Sequence, residues 1–512
     1  MTDSPPDLSG LPADLHDSRL VNADLAPVPV ERRNWTTYNY AALWMGMAHC
    51  LPTYMLAGGL VAQGMNWWQA LLTIGLGNLI VLIPILLNAH PGTKYGLPFP
   101  VVVRSSFGTV GANVPAMARA VVACGWFGIQ TYLGGEAMKT FLVAVWPAFA
   151  TVGGDATVMG LGVPSAICFG VFWLVNIGII VAGMNALKFF ENWAAPLLMV
   201  LALWLLVWLV RRAGDFGPTF DEPSKFESMG AFWKVFVPSL TGMIGFWATL
   251  SLNIPDFTRY GKGQREQAWG QALGLPTTMI AFSAMAVVIT SASQALLKGV
   301  PAAELWDPVK VLSYLTSADA PPGMEAPVFA GDGTRLLVAL IALVAVGVAT
   351  ISTNIAANIV SPANDFANLA PKRISFRTGA VITGLVGIAI MPWRLLASAD
   401  TYIFDWLVGY SALLGPIAGI MIADYWIVKR KTLVVEDLYR HDGRYGRVNW
   451  IAMVALALGV APNVPGFLGQ VKVIDLGEAG GFWSTLYPYA WFTGLAISAA
   501  VYLLGMRLRP PR

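Results

Sequence analysis

Charge is what this chain has least of. Of its 512 residues only 12% are Asp, Glu, Lys or Arg, 56% are hydrophobic, and the formal net charge is +3. A water-soluble protein of ordinary composition carries about 25% charged residues, so there is too little polar surface here to coat a soluble particle of this length. The deficit excludes a disordered chain, a nucleic-acid-binding protein and an ordinary cytosolic enzyme, and points to a polytopic membrane protein. Cysteine is scarce as well. Cys50, Cys124 and Cys168 are odd in number, lie inside apolar runs and form no C-x-x-C pair, which excludes a disulfide framework and a zinc site. Catalytic signatures are missing too. No H-E-x-x-H, Walker A loop, G-x-S-x-G or dinucleotide fingerprint occurs, and Gly75-Leu76-Gly77 lacks the third glycine. The chain is therefore expected to be no enzyme, to carry no cofactor and to hold no ATP-driven motor. Its first 35 residues are rich in Pro and Asp without an apolar stretch, so they read as a tail and not as a cleaved signal peptide. Asn34-Trp35-Thr36 matches a glycosylation sequon, but it falls on the cytoplasmic side of the topology derived next.

What the chain does have is apolar length. A bilayer is crossed by roughly 20 apolar residues. Stretches of that kind lie near 38–62, 67–88, 112–146, 160–184, 187–210, 233–255, 269–297, 335–361, 376–393, 403–428, 448–465 and 486–506. That makes about twelve transmembrane helices in an all-α polytopic protein. Basic residues then orient it. Arg32 and Arg33, Lys94 and Arg104, Arg259 with Lys262 and Arg265, Lys372 with Arg373 and Arg377, the cluster from Lys429 to Arg447, and Arg507 with Arg509 and Arg512 all fall on one side when the N-terminus is placed inside. This bias puts both termini in the cytoplasm of a bacterial inner (cell) membrane. Arg211 and Arg212 run against it, whereas the long acidic outer segment near 298–334 does not. The domain organisation expected is a cytoplasmic tail (1–35), a first five-helix unit (36–212), a second (213–431), two further helices (432–506) and a C-terminal tail (507–512). Both tails read as short and mobile.

Two spans carry a proline interruption. The first reads His49-Cys50-Leu51-Pro52-Thr53, followed by Gly58-Gly59, and the sixth reads Leu252-Asn253-Ile254-Pro255-Asp256. Proline removes a helix N–H and frees a carbonyl, and a freed carbonyl inside a bilayer has to be met by protein, water or an ion. Paired interruptions in the first and sixth spans are what two inverted halves with a shared midplane site produce. Kinks that only tune packing are the other reading. Little charge lies at the centres of these spans. Arg119 falls near the start of the third span, Glu136 and Lys139 are spaced to pair with each other toward its outer end, and Asp256 and Asp365 lie near inner ends. The central polar groups are instead amides, hydroxyls and indoles. In the third span Trp126 and Gln130 share a face one turn apart, and an indole plate beside a carboxamide suits a flat ring with N–H and C=O groups on its edge. The sixth span has Gly245-Phe246-Trp247. The eighth has Asn354 and Asn358 on one face, preceded by the adjacent hydroxyls of Ser352 and Thr353. For each, packing, helix–helix hydrogen bonding or back-bonding to its own helix is the alternative reading. A membrane enzyme and a substrate-gated channel or sensor are the rivals from other classes.

Several motifs together resemble the first class of nucleobase–cation symporters. They are Ala48-His49-Cys50-Leu51-Pro52-Thr53-Tyr54, Asn66-Trp67-Trp68, Gly92 through Pro100, Cys124 through Gln130, Asn253 through Tyr260, Thr353 through Asp365, and Ala423-Asp424-Tyr425-Trp426. The resemblance runs from about Trp35 to about Lys431. It implies a five-plus-five inverted repeat like that of the leucine transporter, with two extra C-terminal helices. It also implies a purine, pyrimidine, allantoin or hydantoin ring held between Trp126 and Trp247, with Gln130 and Asn358 on the ring edge and Gly245, Cys50 and Asn354 close by. By position, the carbonyls of Gly46, His49 and Ala349 and the hydroxyls of Ser352 and Thr353 match the cation site of sodium-coupled members. Cys50 departs from the hydantoin carrier of the family, which has an amide there, so the pocket is expected to be smaller and less polar at that point. The function implied is secondary symport of a neutral heterocycle such as uracil, cytosine, a purine, allantoin or a hydantoin, coupled to Na+ or H+, with no obligatory protein partner.

Overall fold

The computed structural model describes residues 8, 10–182, 200–214, 216–329, 331–399, 401–477 and 480–508. Within them the chain is all-α apart from a short hairpin, Thr157–Val158 paired with Leu161–Gly162. Eight helices among the described residues are long and apolar enough to cross a membrane by length and composition. The expected span 187–210 lies outside the described residues up to 199, and residues 200–213 are helical.

The elements begin and end where local chemistry says they should. α1 (Thr37–Ala48) opens on a capping box between Thr36 and Asn39. His49 and Cys50 leave the helical region, and α2 (Leu51–Ala62) restarts with Pro52 in its first turn. There the missing N–H of proline costs nothing. α3 (Trp67–Tyr95) is capped by Asn66 and Gln69 and closed by Gly96 at φ 72°. α4 (Asn113–Val145) falls short of the hydropathy of the eight, because much of its surface is small or polar and faces protein. α5 (Val163–Ala182) follows the hairpin. α6 (Met229–Phe246) and α7 (Ala248–Asn253) are separated by Trp247. α8 (Gln264–Leu296) comes next. α9 (Asp332–Thr353) passes through a π segment (Asn354–Ile359) into α10 (Val360–Leu369). α11 (Phe376–Ala389), α12 (Val408–Ile422), α13 (Trp450–Val460) and α14 (Ala490–Leu508) complete the set, with π segments on both sides of α12.

α4 is the central post, packed on α5, α9, α10 and α11, while α1 and α3 pack on α8. Close approach is built into α4. A Cβ on Gly125 would lie 2.4 Å from the Trp406 ring, and one on Gly128 would lie 2.6 Å from the Gly387 carbonyl.

Two expectations change. The sixth span already breaks at Trp247, eight residues before Pro255; at the proline itself only Ile254 separates α7 from a short helix, Pro255–Thr258. The described part of the N-terminal tail is not loose either. Leu15, Val21 and Leu25 are buried, Arg259 donates to the Asp24 carbonyl (2.7 Å), and Ser18 donates to the Tyr439 carbonyl (2.8 Å). Fully buried Arg104 ties this tail to two other segments, through the Leu20 carbonyl (3.2 Å), the Leu438 carbonyl (3.1 Å) and Asn368 Oδ1 (2.6 Å). Burial pushes the Arg104 guanidinium down to about 10, so it stays charged at neutral pH and its three acceptors offset the desolvation.

Candidate functional site

The two interruptions and the π segment meet α4 at one buried cavity. Cys50 comes from the first break, Trp126 and Gln130 from α4, Phe246 and Trp247 from the second break, and Thr353, Ala357 and Asn358 from the end of α9 and the π segment. Met47, Thr249 and Leu250 complete the lining, and none of the lining residues is charged. The cavity measures about 20 Å³, room for about one water molecule.

Its polar atoms are poorly spent. Trp126 Nε1, Trp247 Nε1, Gln130 Oε1 and Thr353 Oγ1 are all buried without a hydrogen-bond partner. Orphaned buried groups cost about 1–3 kcal/mol each, so four around one space is a strong sign of a ligand with matching donors and acceptors. Gln130 also reaches the Cys50 thiol, which contacts Thr53 Oγ1 at 3.3 Å. Thr353 does not back-bond to its own helix, unlike Thr350 one turn earlier, whose hydroxyl donates to the Val346 carbonyl at 2.8 Å.

The two indoles do not stack on each other. Phe246 packs edge-on against both, at 5.1 Å from Trp126 and 4.9 Å from Trp247. Trp44, Tyr402 and Trp406 pack edge-on around the same pair. Phe246 was missed as a lining residue because nothing in its local sequence distinguishes it from a packing aromatic.

Not every expected residue lines the cavity. Asn354 turns away from it. Its amide N–H groups face the Phe127 carbonyl, Thr131 Oγ1 and Asn176 Oδ1, while its Oδ1 accepts from Asn358 Nδ2 at 3.1 Å. Asn354 therefore holds Asn358 in place, and the π segment sets their register. Gly245 also lies outside the lining. Its carbonyl accepts from Tyr410 Oη at 2.8 Å, and a Cβ there would lie 2.3 Å from Ser411 Oγ. Only glycine permits α6 to approach the segment around residue 407 that closely.

Around the first break, the Cys50 N–H donates to the Ala48 carbonyl (3.0 Å), so it is diverted from the Gly46 carbonyl, its regular helical acceptor. His49 Nδ1 lies 3.1 Å from the Met45 carbonyl, an acceptor only, which assigns the proton to Nδ1 and leaves Nε2 a bare acceptor without a partner. His49, Cys50 and Ala349 line a second, apolar cavity of about 140 Å³ beside the first, against Tyr54 and Phe282. Gly46 lines neither cavity, and Ser352 precedes Thr353 without lining the first.

Charge is kept away, toward the end of the bundle that carries the N-terminal segment. Arg119 Nη1 lies 3.2 Å from Asp365 Oδ2 with both side chains fully buried, and Asp256 Oδ1 accepts from the Phe99 N–H at 2.8 Å. Asn253 donates to Ser361 beside them. This cluster ties α4, α10 and the short helix after α7. Glu136 and Lys139 pair with each other at the far end of α4, and Lys139 also donates to Ser165 Oγ (2.9 Å).

Comparison with known proteins places this geometry in context. Residues 27–494 match the family model described as a permease for cytosine/purines, uracil, thiamine and allantoin. The chain is 40% identical to an allantoin permease of Bacillus subtilis (strain 168), covering 96% of this chain and 94% of that one. It is 41% identical to the purine-uracil permease NCS1 of Arabidopsis thaliana, covering 96% and 78%. In fold it is similar to Mhp1, a nucleobase-cation-symport-1 family transporter solved closed with bromovinylhydantoin bound, with a TM-score of 0.71, 23% identity and 95% of each chain covered.

Proposed function

Since the chain belongs to the permease family for cytosine/purines, uracil, thiamine and allantoin, and is thus a membrane transporter and not an enzyme, we propose that it imports a neutral, planar, amide-bearing ring such as allantoin or a nucleobase by cation-coupled alternating access. Four unpartnered polar atoms around one uncharged cavity carry this reading. Two indole N–H donors and the Gln130 carbonyl, with the Asn358 carboxamide alongside, complement a ring edge that alternates C=O and N–H, and the Thr353 hydroxyl is left for the ion. A charged substrate would lack a countercharge here. The two relatives of near-equal identity carry names for different ring systems, which fits recognition of the shared amide edge.

In this proposal the coupling ion, Na+ or H+, acts between the first break and α9. The carbonyls of Gly46, His49 and Ala349 and the hydroxyls of Ser352 and Thr353 form the Na+ set, and His49 Nε2 is the bare base that a proton would use. Ion binding there ties α1 and α2 to α9 and favours the outward-open state, so the ion gradient drives uptake by population shift. The supporting organisation is two inverted five-helix units, 36–212 and 213–431, with 432–506 added, in a cell membrane with both termini cytoplasmic.

The test is uptake and counterflow of labelled allantoin and uracil in proteoliposomes, with and without sodium and at two internal pH values. Exchange of labelled for unlabelled substrate at zero net gradient is expected. Flux without counterflow would make the protein a channel and defeat the proposal.

A further inference from the structure

A further cleft lies at the end of the molecule that carries the N-terminal segment and shares no lining residue with the ring-binding cavity. It measures about 610 Å³ and is lined by Arg33, Lys94, Lys262, Arg430 and Lys431, with His90 among them. Four separate segments supply these cations: the tail before α1, the end of α3, the loop before α8 and the turn after α12. Basic residues on this side are expected for any membrane protein. Their convergence on one cleft is not, because like charges brought together cost energy unless an anion joins them.

The described part of the chain does not supply that anion. Among the described residues, no carboxylate lies within ion-pair distance of any of the five. Arg33 is spent on carbonyls, bonding those of Val28 (2.8 Å), Thr93 and Lys94 (3.3 Å each). Lys94 donates to the Lys431 carbonyl at 2.7 Å. Such bonds fix the side chains without neutralising them. Glu31 is near enough to act on Arg33 through its field, and Glu266 folds back over Gly263 at the start of its own helix. Neither pairs. The turn carrying Arg430 and Lys431 is held at φ 48° and 62°, in the left-handed region that side chains normally avoid. The Lys431 carbonyl is locked there by Lys94 and by Tyr95 Oη (2.9 Å). Lys262 is placed by its own backbone, which bridges to Trp35.

The surroundings identify the source of the anion. Leu72, Leu76, Leu79 and Ile83 form one exposed apolar face of α3, and at helical spacing that same face continues to His90 and Lys94 in the cleft. A hydrocarbon chain lying on this face would end its polar group in the cleft. Trp426 marks the boundary. Its ring contacts His90 (centroids 5.1 Å apart) and lies 5.3 Å from Lys431 Nζ, and its Nε1 donates to the Leu87 carbonyl (3.1 Å). Exposed Trp269 lies one turn into α8. Tryptophans at such a height are interfacial anchors, which puts the cations at the level of lipid phosphates.

We propose that this cleft is a binding site for an anionic glycerophospholipid, whose phosphate is held by Lys262, Arg430 and Lys431 and whose acyl chain lies along α3. Because the site joins the tail, α3, α8 and the turn after α12, a bound lipid clamps the inner ends of both halves of the bundle.

The experiment is native mass spectrometry of the purified full chain with added dioleoyl-phosphatidylglycerol, dioleoyl-phosphatidylcholine or sn-glycerol 3-phosphate, paired with thermal-shift titrations of the same probes. Phosphatidylglycerol should be retained and should raise the melting temperature, while phosphatidylcholine and glycerol 3-phosphate at equal concentration should do neither. In the triple variant Lys262→Gln, Arg430→Gln, Lys431→Gln the phosphatidylglycerol affinity should fall tenfold or more, with allantoin or uracil binding retained as proof of folding. The double variant Lys372→Gln, Arg373→Gln, basic residues outside the cleft, should behave as wild type. Equal stabilisation by glycerol 3-phosphate would make the ligand a soluble phosphate compound and overturn the lipid assignment. An equal loss in the double variant would reduce the effect to general surface charge, and unchanged lipid retention in the triple variant would remove the site.

Discussion

The first and second breaks solve the same problem in opposite ways. At His49-Cys50 the chain leaves acceptors open: the Cys50 N–H is diverted to Ala48, and His49 Nε2 has no donor. At Trp247 the acceptors are filled. The Trp247 N–H returns to the Ile244 carbonyl (3.2 Å), and Tyr410 Oη takes the Gly245 carbonyl (2.8 Å). Open acceptors suit a small cation or a proton, and filled ones suit a wall whose task is to hold aromatic rings in place. In the function proposed above, the first break serves the ion and the second the ring.

Five substitutions test that division, in falling order of effect. Gln130→Ala should weaken binding of allantoin or uracil about 100-fold, or about 2.7 kcal/mol, because it removes the orphaned acceptor facing the cavity; Trp126→Ala should be comparable. Isothermal titration on folded, inserted protein gives the number, and wild-type affinity in either variant would dissolve the site. Thr353→Ala should raise the half-saturating cation concentration roughly tenfold, or about 1.4 kcal/mol, at constant substrate selectivity, because it removes one oxygen ligand of the ion. If substrate preference changes instead while ion dependence stays put, the hydroxyl belongs to the ring. Asn354→Ala should cost roughly fivefold in substrate affinity through loosening of Asn358, with ion dependence untouched; a direct contact would instead cost as much as Gln130→Ala. The mildest is Tyr410→Phe, which reopens the Gly245 carbonyl at about 1 kcal/mol of stability. Its melting temperature should drop by a few degrees while ion dependence is unchanged. A gain of ion affinity there would show that filling the second break is what keeps the ion at the first.

Much of this was legible in the chain because apolar length and helical spacing are local properties. Most of the spans and the uncharged centre required no more than that, whereas the meeting of Trp126, Trp247, Gln130 and Asn358, with Cys50 and Thr353 beside them, was implied by the resemblance to the symporter family. Position of the second break was not legible. Proline looked like the signal, yet Pro84, Pro91, Pro238, Pro276 and Pro416 all sit inside continuous helices. The interruption at Trp247 instead coincides with a contact distant in sequence, the approach of Gly245 to Leu407 and Ser411. Asn354 and Asn358 looked equivalent at a spacing of four, but the π segment and the acceptors on α4 and α5 turn one inward and one aside. The tail looked free because its anchors, Arg104 and Tyr439, lie far away in sequence.

The smallness of the cavity has a kinetic consequence. A guest ring needs several times the space of the single water that fits there, so Phe246 and its neighbours must swing aside before, or as, the guest arrives. Stopped-flow traces should then show an observed association rate that levels off at high ligand concentration, with a ceiling set by the protein's own opening and shared by chemically different guests.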